Sequence, residues 1–233
     1  MRIKIQVETE RLPLAYRMGI VSFFKEAIRT SDPEYYEKLY SQRKMRPYCF
    51  ASYLVEPIVE NDFIKVKRMF ITVSSPDVEF LLHLYNGVNR LKTYNYKNYE
   101  WHKKKVEMLR EKEITANTVV MRTLSPLLIE DKAGKPLSPD DETFAEQFNY
   151  YANLTVNEFL GRDLIRPVQI LNHRLTKTVI KEKNQYWNSE KYMYFTAYKG
   201  LVKLEGAKED LQCIYQAGVS RRRSQGFGLL EIE

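Results

Sequence analysis

The last seventeen residues hold the side chains best suited to chemistry in this chain. Three glycines, Gly218, Gly226 and Gly228, bracket the consecutive arginines Arg221–Arg223. Glycine lets a backbone turn sharply and approach a ligand closely, and backbone N–H groups and arginines in such a loop suit phosphate oxygens. The apolar run Leu229–Ile232 follows at once. The pattern predicts a basic glycine loop that leads into a terminal strand and binds a polyanion, with RNA as the favoured class.

The composition agrees with an anionic partner. The chain has 233 residues and a formal net charge of +7, and an excess of positive charge favours nucleic-acid binding. The 17 tyrosines can stack on bases or pack in sheets. The length suits one large domain or two small ones.

Few residues could hold a metal or form a disulfide. Cys49 and Cys213 lie far apart without metal-ligand spacing, so we expect two buried thiols in a reducing cytoplasm. We expect no metal site and no cofactor. The sequence shows no apolar stretch of membrane-spanning length and no signal peptide, so we expect a cytoplasmic protein with no membrane partner.

The first half of the chain predicts a β-α-β-β-α-β order. The alternation of apolar and polar residues in Met1–Glu8 is typical of a half-buried strand. The elements that follow are a helix over 14–29, a short helix ending at Tyr40, strands over 48–57 and 63–74, a helix opening at Pro76 and a charged strand region to about residue 113. This is the ferredoxin-like, or split βαβ, arrangement.

The same order recurs in the second half. It predicts a strand at 119–124, a helix over 140–160, strands near 168–181 and 192–204, a helix over 205–216 and a closing strand at 229–232. No sequence-level repeat supports the duplication, and no Gly/Ser linker separates the halves. We therefore predict an α+β protein of two tandem ferredoxin-like (RRM-like) domains, 1–115 and 116–233, packed tightly together.

The terminal loop and strand, with Thr123–Pro126 and Pro47–Phe50, resemble the CRISPR repeat-RNA processing endoribonucleases. That family belongs to the repeat-associated RNA-binding (RAMP) superfamily of tandem ferredoxin-like proteins, and the similarity spans the whole chain. The family pattern in the loop is roughly Gly-apolar-Gly, about five residues, and Gly-apolar-Gly again. Gly226-Phe-Gly228 fits the second half of this pattern, whereas Ser220 stands where the first half usually has glycine.

The resemblance implies binding of CRISPR repeat RNA and one metal-independent cut per repeat in the precursor transcript. The 2′-hydroxyl attacks the adjacent phosphate and leaves a 2′,3′-cyclic phosphate. Such a reaction needs a base for the 2′-hydroxyl, an acid for the leaving oxygen and a cation for the phosphorane charge.

The resemblance implies a catalytic constellation of Lys25, Tyr40 and Arg46 in the N-terminal domain. Tyr40 stands where many relatives have a histidine. A tyrosine with its ordinary pKa of about 10 is a proton donor and a poor base near neutral pH. Lys25 could act as a base only with a lowered pKa, and Arg46 can stabilise charge but does not give up a proton. The loss of a general base typically costs roughly 10²- to 10⁴-fold in rate.

We expect RNA contacts in the C-terminal domain from the loop and from one basic strand. The candidates are Gly218, Ser220, Arg221, Arg222, Arg223, Gly226, Gly228, Arg174 and Lys177. The three histidines, His83, His102 and His173, do not replace the missing one. We expect a packed residue in a helix for the first, an exposed basic stretch for the second and a strand for the third.

Four functions remain open. The leading one is a metal-independent endoribonuclease that matures CRISPR RNA. The second is a binder of the same fold that does not cut, which the missing histidine favours. The third is an RNA-binding subunit of a CRISPR effector complex, which a monomer or homodimer would count against. A ribonucleoprotein-type module that uses sheet aromatics ranks last, because no run matches its strand signature.

Overall fold

The computed structural model describes residues 1–42, 44–183 and 192–233. The N-terminal half contains β1 (Arg2–Glu8), β2 (Arg11–Pro13), α1 (Arg17–Ser31), α2 (Pro33–Ser41), β3 (Cys49–Val55), β4 (Ile58–Val59), β5 (Phe63–Lys65), β6 (Arg68–Ser74), α3 (Val78–Arg90), β7 (Thr93–Tyr96) and β8 (Tyr99–Leu109). The C-terminal half contains β9 (Thr118–Thr123), α4 (Phe144–Leu160), β10 (Gln169–Lys183), β11 (Tyr192–Glu205), α5 (Lys208–Ala217) and β12 (Leu230–Ile232).

The N-terminal half has the predicted ferredoxin-like sheet. Its strands lie in the order β3-β6-β1-β8-β7, with β1 antiparallel to both β6 and β8. Along β1, Ile3, Ile5 and Val7 are buried, and they join the core formed with α1 and α3. The strand therefore carries the alternating pattern that its sequence predicts.

The C-terminal half repeats this topology. Its four strands lie in the order β10-β11-β9-β12, with α4 after β9 and α5 after β11. A second core gathers Met121, Phe148, Val202, Leu211 and their neighbours between sheet and helices. The fold is thus α+β with two tandem ferredoxin-like domains, as the order of elements predicted.

The prediction of one strand over 63–74 was wrong in one respect. That segment forms two strands, β5 and β6, and β5 leaves the main sheet to pair with β2 and β4 in a small separate sheet. The break falls at Val66 and Lys67, where the Val66 amide donates to the carbonyl of Glu10. The apolar–polar alternation changes phase at the adjacent basic residues Lys67 and Arg68, so the sequence carries a signal of the break.

Local signals account for the helix ends that position the candidate sites. The Asp32 carboxylate accepts from the Tyr35 amide and Pro33 opens α2, while the Asp77 carboxylate accepts from the Phe80 amide at the start of α3. Both are the capping arrangement that aspartate favours. None of the helices in the described ranges is both long and apolar enough to cross a membrane.

The two domains are joined by buried polar contacts. Arg2 on β1 is 1% exposed, and its guanidinium donates to Glu231 at 2.7 Å and to the carbonyls of Tyr215 and Leu230 at 2.6 Å. The Ser74 hydroxyl donates to the Gln216 carbonyl. The chain passes between the halves in the connection from β8 to β9, and the proposed boundary at 115/116 falls there.

Candidate nucleic-acid interface

The glycines of the terminal loop are required by close packing. Gly218, Gly226 and Gly228 all have positive φ, between 77° and 84°. A Cβ on Gly228 would lie 2.2 Å from the Val219 carbonyl oxygen, and one on Gly218 would lie 2.8 Å from the Cys49 sulfur. The loop therefore fits against itself and against β3 of the other domain, and side chains are excluded by both strain and contact.

Ser220 replaces a glycine of the family pattern without strain. It has no positive φ, and its hydroxyl donates to the Leu128 carbonyl while accepting from the Leu128 amide. A Cβ on Gly228 would lie 2.5 Å from the Ser220 Cβ, so the second glycine makes room for the serine. Ser220 is 4% exposed and serves to anchor the loop.

Most loop amides are used within the protein. The amides of Val219, Arg221, Gly226 and Gly228 each donate to a protein carbonyl. The Cys49 thiol also donates to the Phe227 carbonyl at 3.1 Å, which ties the loop to β3. This geometry assigns the glycines to packing and leaves the arginine side chains as the groups able to meet phosphate.

The three loop arginines lie in different environments. Arg221 pairs with the buried Glu130 at 2.8 Å and keeps 46% of its side chain exposed. Arg222 donates to Gln225, lies 4.6 Å from the Phe195 ring, and leaves its buried Nε without a partner. Arg223 is 5% exposed, and burial lowers its guanidinium pKa.

Arg223 acts inside the protein. Its Nη1 donates to the Ala217 carbonyl at the end of α5, and it forms no ion pair with a carboxylate in the described part of the chain. A cation near the C-terminal end of a helix interacts favourably with the helix dipole. We therefore assign Arg223 to holding the loop on α5, whereas Arg221 and Arg222 keep part of their side chains exposed.

Sequence reasoning missed a charged cluster beside the loop. Arg17, at the start of α1, pairs with Glu182 on β10 at 3.3 Å, and both side chains are largely buried. Burial raises the pKa of the Glu182 carboxyl, while Arg17 and Arg222 oppose that rise. Partners 165 residues apart leave no sequence signal, so only the fold reveals them.

The structure brings the three predicted catalytic residues together. The Lys25 Nζ lies 4.9 Å from the centre of the Tyr40 ring, and the Arg46 guanidinium lies 4.7 Å from it. Tyr36, one helical turn away, packs on the same ring at 4.9 Å. The two cations are within the distance at which cation–π attraction operates. The three side chains meet because α1, which carries Lys25, packs on α2, which carries Tyr40. The segment before β3, which carries Arg46, contacts the C-terminal end of α2.

The Tyr40 hydroxyl is closed off. It is shielded from solvent and has no hydrogen-bond partner of good geometry, although it lies near the hydroxyl of the fully buried Tyr48. Burial raises the pKa of Tyr40 to about 12. A phenol in this state is protonated near neutral pH, so it cannot accept a proton from a 2′-hydroxyl.

Arg46 has a structural task in addition to its contact with Tyr40. Its Nη1 donates to the carbonyls of Leu39 and Gln42 at the end of α2. These are carbonyls that the helix itself leaves unsatisfied. Lys25, in contrast, forms no ion pair within the described residues. Of the two cations in the predicted constellation, Lys25 therefore makes fewer polar contacts with the described part of the protein than Arg46 does.

The histidines are engaged elsewhere. His83 stacks on Tyr35 at 4.2 Å, near the start of α2. His102 lies 3.6 Å from Glu100 on β8, and His173 lies 3.4 Å from Asp140. None of the three makes a recorded contact with Tyr40, Lys25 or Arg46.

Arg174 and Lys177 lie on opposite faces of β10. Their partners on β11 are Leu201 and Tyr198, and residues three apart in a strand point to opposite sides. The face that carries Arg174 is the one on which Ile180 packs towards the loop residue Phe227. The structure thus does not bring Lys177 to the glycine loop.

Comparisons with solved structures show the same overall fold. The chain matches a Cas6-related gene product from Pyrococcus furiosus with a TM-score of 0.79 and 19% identity, covering 100% of this chain and 98% of that one. It matches a RAMP protein described as binding different RNA substrates with a TM-score of 0.77, 18% identity and coverage of 100% and 99%. A Cas6 product complex matches with a TM-score of 0.71, 12% identity and the same coverage.

Sequence comparison points to the same group of proteins. No curated protein matches the chain. The family model described as CRISPR associated protein Cas6, C-terminal, matches residues 109–232, which is more than half of the chain and includes the glycine loop. The chain therefore belongs to the Cas6 family of CRISPR-associated proteins.

Proposed function

We propose that this Cas6-family protein binds CRISPR repeat RNA and holds it without efficient cleavage. The observation that carries the proposal is the closed state of Tyr40, whose hydroxyl is buried and whose pKa is raised to about 12. The residue that replaces the family histidine can thus neither take the 2′-hydroxyl proton nor reach a leaving oxygen. The remaining groups at this position are the side chains of Lys25 and Arg46, which are suited to binding phosphate.

The binding half of the proposal rests on the loop and on charge. Arg221 keeps 46% of its side chain exposed beside Glu130 and Arg222 is half-buried, and both lie on a loop that contacts both domains. A rigid loop loses little conformational entropy when a ligand binds, so its arginines are pre-organised for phosphate. Solved relatives are described as an RNA-binding RAMP protein and as a Cas6 product complex.

A second candidate is slow metal-independent cleavage that leaves a 2′,3′-cyclic phosphate. It is favoured by Lys25, which lies 4.9 Å from the Tyr40 ring and forms no ion pair within the described residues. A cation can stabilise phosphorane charge, and alignment of the backbone for in-line attack contributes without a base. Cas6 relatives that are endoribonucleases give this candidate its precedent, but the Tyr40 geometry favours the first.

The experiment incubates the purified protein with its cognate repeat RNA in EDTA and measures both affinity and product. A matched RNA carries a single 2′-deoxy nucleotide at the junction where the family pattern expects the cut. The proposal predicts tight binding of both RNAs and little product from either over a time in which a typical enzyme, at about 1 to 10³ s⁻¹, completes many turnovers. Slow cleavage of the ribose RNA alone, with a cyclic-phosphate end, would establish the second candidate, and rapid cleavage would contradict the proposal.

Oligomeric state and effector membership form part of the same proposal. We propose a monomer or homodimer that delivers repeat RNA and does not polymerise along it. Light scattering after size-exclusion chromatography, with and without repeat RNA, checks this. A mass that grows with RNA length by more than two protein copies would favour a structural effector subunit.

A further inference from the structure

The β10–β11 hairpin extends beyond the rest of its sheet. Pairing of β11 with β9 ends at Leu201, whereas pairing between β10 and β11 continues to Lys183 and Tyr192. Tyr198 still forms backbone hydrogen bonds with Leu127, and beyond Tyr198 the hairpin is a two-stranded ribbon with two faces. One face packs on the glycine loop, because Ile180, Phe195 and Ala197 form a buried cluster with Leu128 and Phe227.

The other side of this ribbon, which we name the outer hairpin face, consists of exposed and half-buried side chains. Its members are Lys177, Val179, Lys181, Tyr192, Tyr194, Thr196 and Tyr198. They share a face because directly paired residues in antiparallel strands lie side by side and the pattern repeats every second residue. Tyr194 is 64% exposed and Val179 is 55% exposed.

The outer hairpin face combines aromatic rings with unneutralised positive charge. Lys177 pairs with Tyr198 across the strands, and Lys181 pairs with Tyr194. The Lys181 Nζ also lies 3.9 Å from the Tyr192 ring. Neither lysine forms an ion pair with a carboxylate in the part of the chain that the structure describes, and no member of the face is acidic.

We propose that the outer hairpin face is a stacking platform for a single-stranded segment of RNA, separate from the glycine loop. Exposed aromatic rings accept the faces of unpaired bases, and neighbouring lysines neutralise the phosphates between them. A duplex hides its base faces, so double-stranded RNA gains little from such a surface. The inference rests on the proposed function, since the ligand is the same RNA that the loop holds.

Tyr194 is the residue that tests the platform. Fluorescence anisotropy with single-stranded repeat RNA compares the wild-type protein with Tyr194→Leu, which keeps apolar area and removes the ring, and with Tyr194→Phe, which keeps it. We expect Tyr194→Leu to weaken binding by about 5- to 100-fold and Tyr194→Phe by no more than about 2-fold. Binding of fully paired RNA should not respond to either variant.

Lys181 provides a second and independent readout. Lys181→Ala should reduce the slope of log affinity against log salt by about 0.7. The matched control is Lys67→Ala, because Lys67 is exposed but already paired with Glu56 at 2.8 Å, at the break between β5 and β6. The control should leave the slope unchanged.

The outcomes separate this inference from the proposed function. If the wild-type protein does not bind repeat RNA, the proposed function fails and the platform fails with it. If the wild-type protein binds while Tyr194→Leu and Lys181→Ala bind equally well, only the platform is overturned. An equal loss for single-stranded and fully paired RNA would overturn the assignment to single strands.

Discussion

The glycine loop and the Tyr40 cluster both contain arginine or lysine side chains suited to RNA, but they differ in which of their groups are exposed. The loop is fixed by its backbone, with three residues of positive φ and contacts that no side chain could share, while two of its arginines remain near the surface. In the Tyr40 cluster the cations surround a ring whose reactive hydroxyl is buried. The loop leaves the side chains of Arg221 and Arg222 partly exposed, whereas the Tyr40 cluster buries the Tyr40 hydroxyl.

Under the proposed function, this difference implies that RNA binding and RNA cleavage can change independently in one fold. The loop holds the domains together through the contacts of Gly218 and Phe227 with Cys49, so substitutions there affect folding as well as RNA. Tyr40 lies at the end of α2, where a change of side chain alters a few ring contacts and leaves the domain junction intact. Catalysis can thus be lost at Tyr40 while binding persists.

The largest expected effect is the replacement of Gly228 by alanine. The new Cβ would lie 2.2 Å from the Val219 oxygen at a φ of 77°, so we expect a loss of about 3 kcal/mol or more in the free energy of unfolding. Gly161→Ala is the matched control, because its φ is 66° and no atom lies within 4 Å of the added Cβ. The control should lose only about 1 kcal/mol in urea unfolding. Equal losses would refute the packing role.

Arg223→Ala should come next and should act on folding. The side chain is 5% exposed and donates to the Ala217 carbonyl, so its removal leaves a cavity and an unsatisfied acceptor. We expect a loss of about 2–3 kcal/mol in the free energy of unfolding. The salt dependence of RNA binding should stay as in the wild-type protein once the variant is folded. A reduced salt slope with unchanged stability would instead identify Arg223 as a phosphate contact.

Arg222→Ala should give the reverse result. We expect a loss of about 1–2 kcal/mol in RNA affinity, typical of a charge-assisted hydrogen bond, and a decrease of about 0.7 in the log–log salt slope. Thermal unfolding should change little, because the side chain donates to a single protein acceptor, Gln225. Filter binding across a salt series measures this. An unchanged slope would remove Arg222 from the interface.

The smallest effect is expected for Tyr40→Phe. The lost hydroxyl has no hydrogen-bond partner of good geometry, so we expect a change in the free energy of unfolding within about 0.5 kcal/mol. RNA affinity and any residual cleavage should equal those of the wild-type protein. A tenfold fall in cleavage by this variant would show that the hydroxyl reaches the substrate.

The fold could be predicted from the sequence further than the site could. Alternation in Met1–Glu8, the Asp77 cap and the closing apolar run each encode a local structure, and their order gave both domains. The small sheet of β2, β4 and β5 escaped prediction because β-favouring residue types continue through 63–74, although the buried positions change phase between Val66 and Met69.

The geometry of the candidate site depends on contacts between elements that lie far apart in the sequence, and local sequence patterns do not indicate such contacts. The resemblance predicted that Tyr40, Lys25 and Arg46 form one cluster, and the structure brings the three side chains together. The direction of the Tyr40 hydroxyl follows from its packing near Tyr48, which spacing does not reveal. In the same way, three consecutive arginines look equivalent in the sequence, although only the fold shows Arg223 buried on α5.

The most direct test of the central claim replaces Tyr40 by histidine and measures single-turnover cleavage of repeat RNA in EDTA beside the wild-type protein. An imidazole with a pKa near 6.5 can exchange protons at neutral pH, so we predict that Tyr40→His cleaves roughly 10²- to 10⁴-fold faster than the wild-type protein. The product should end in a cyclic phosphate, and RNA affinity should be unchanged. Efficient cleavage by the wild-type protein, with no gain in Tyr40→His, would contradict the claim that Tyr40 closes the catalytic position.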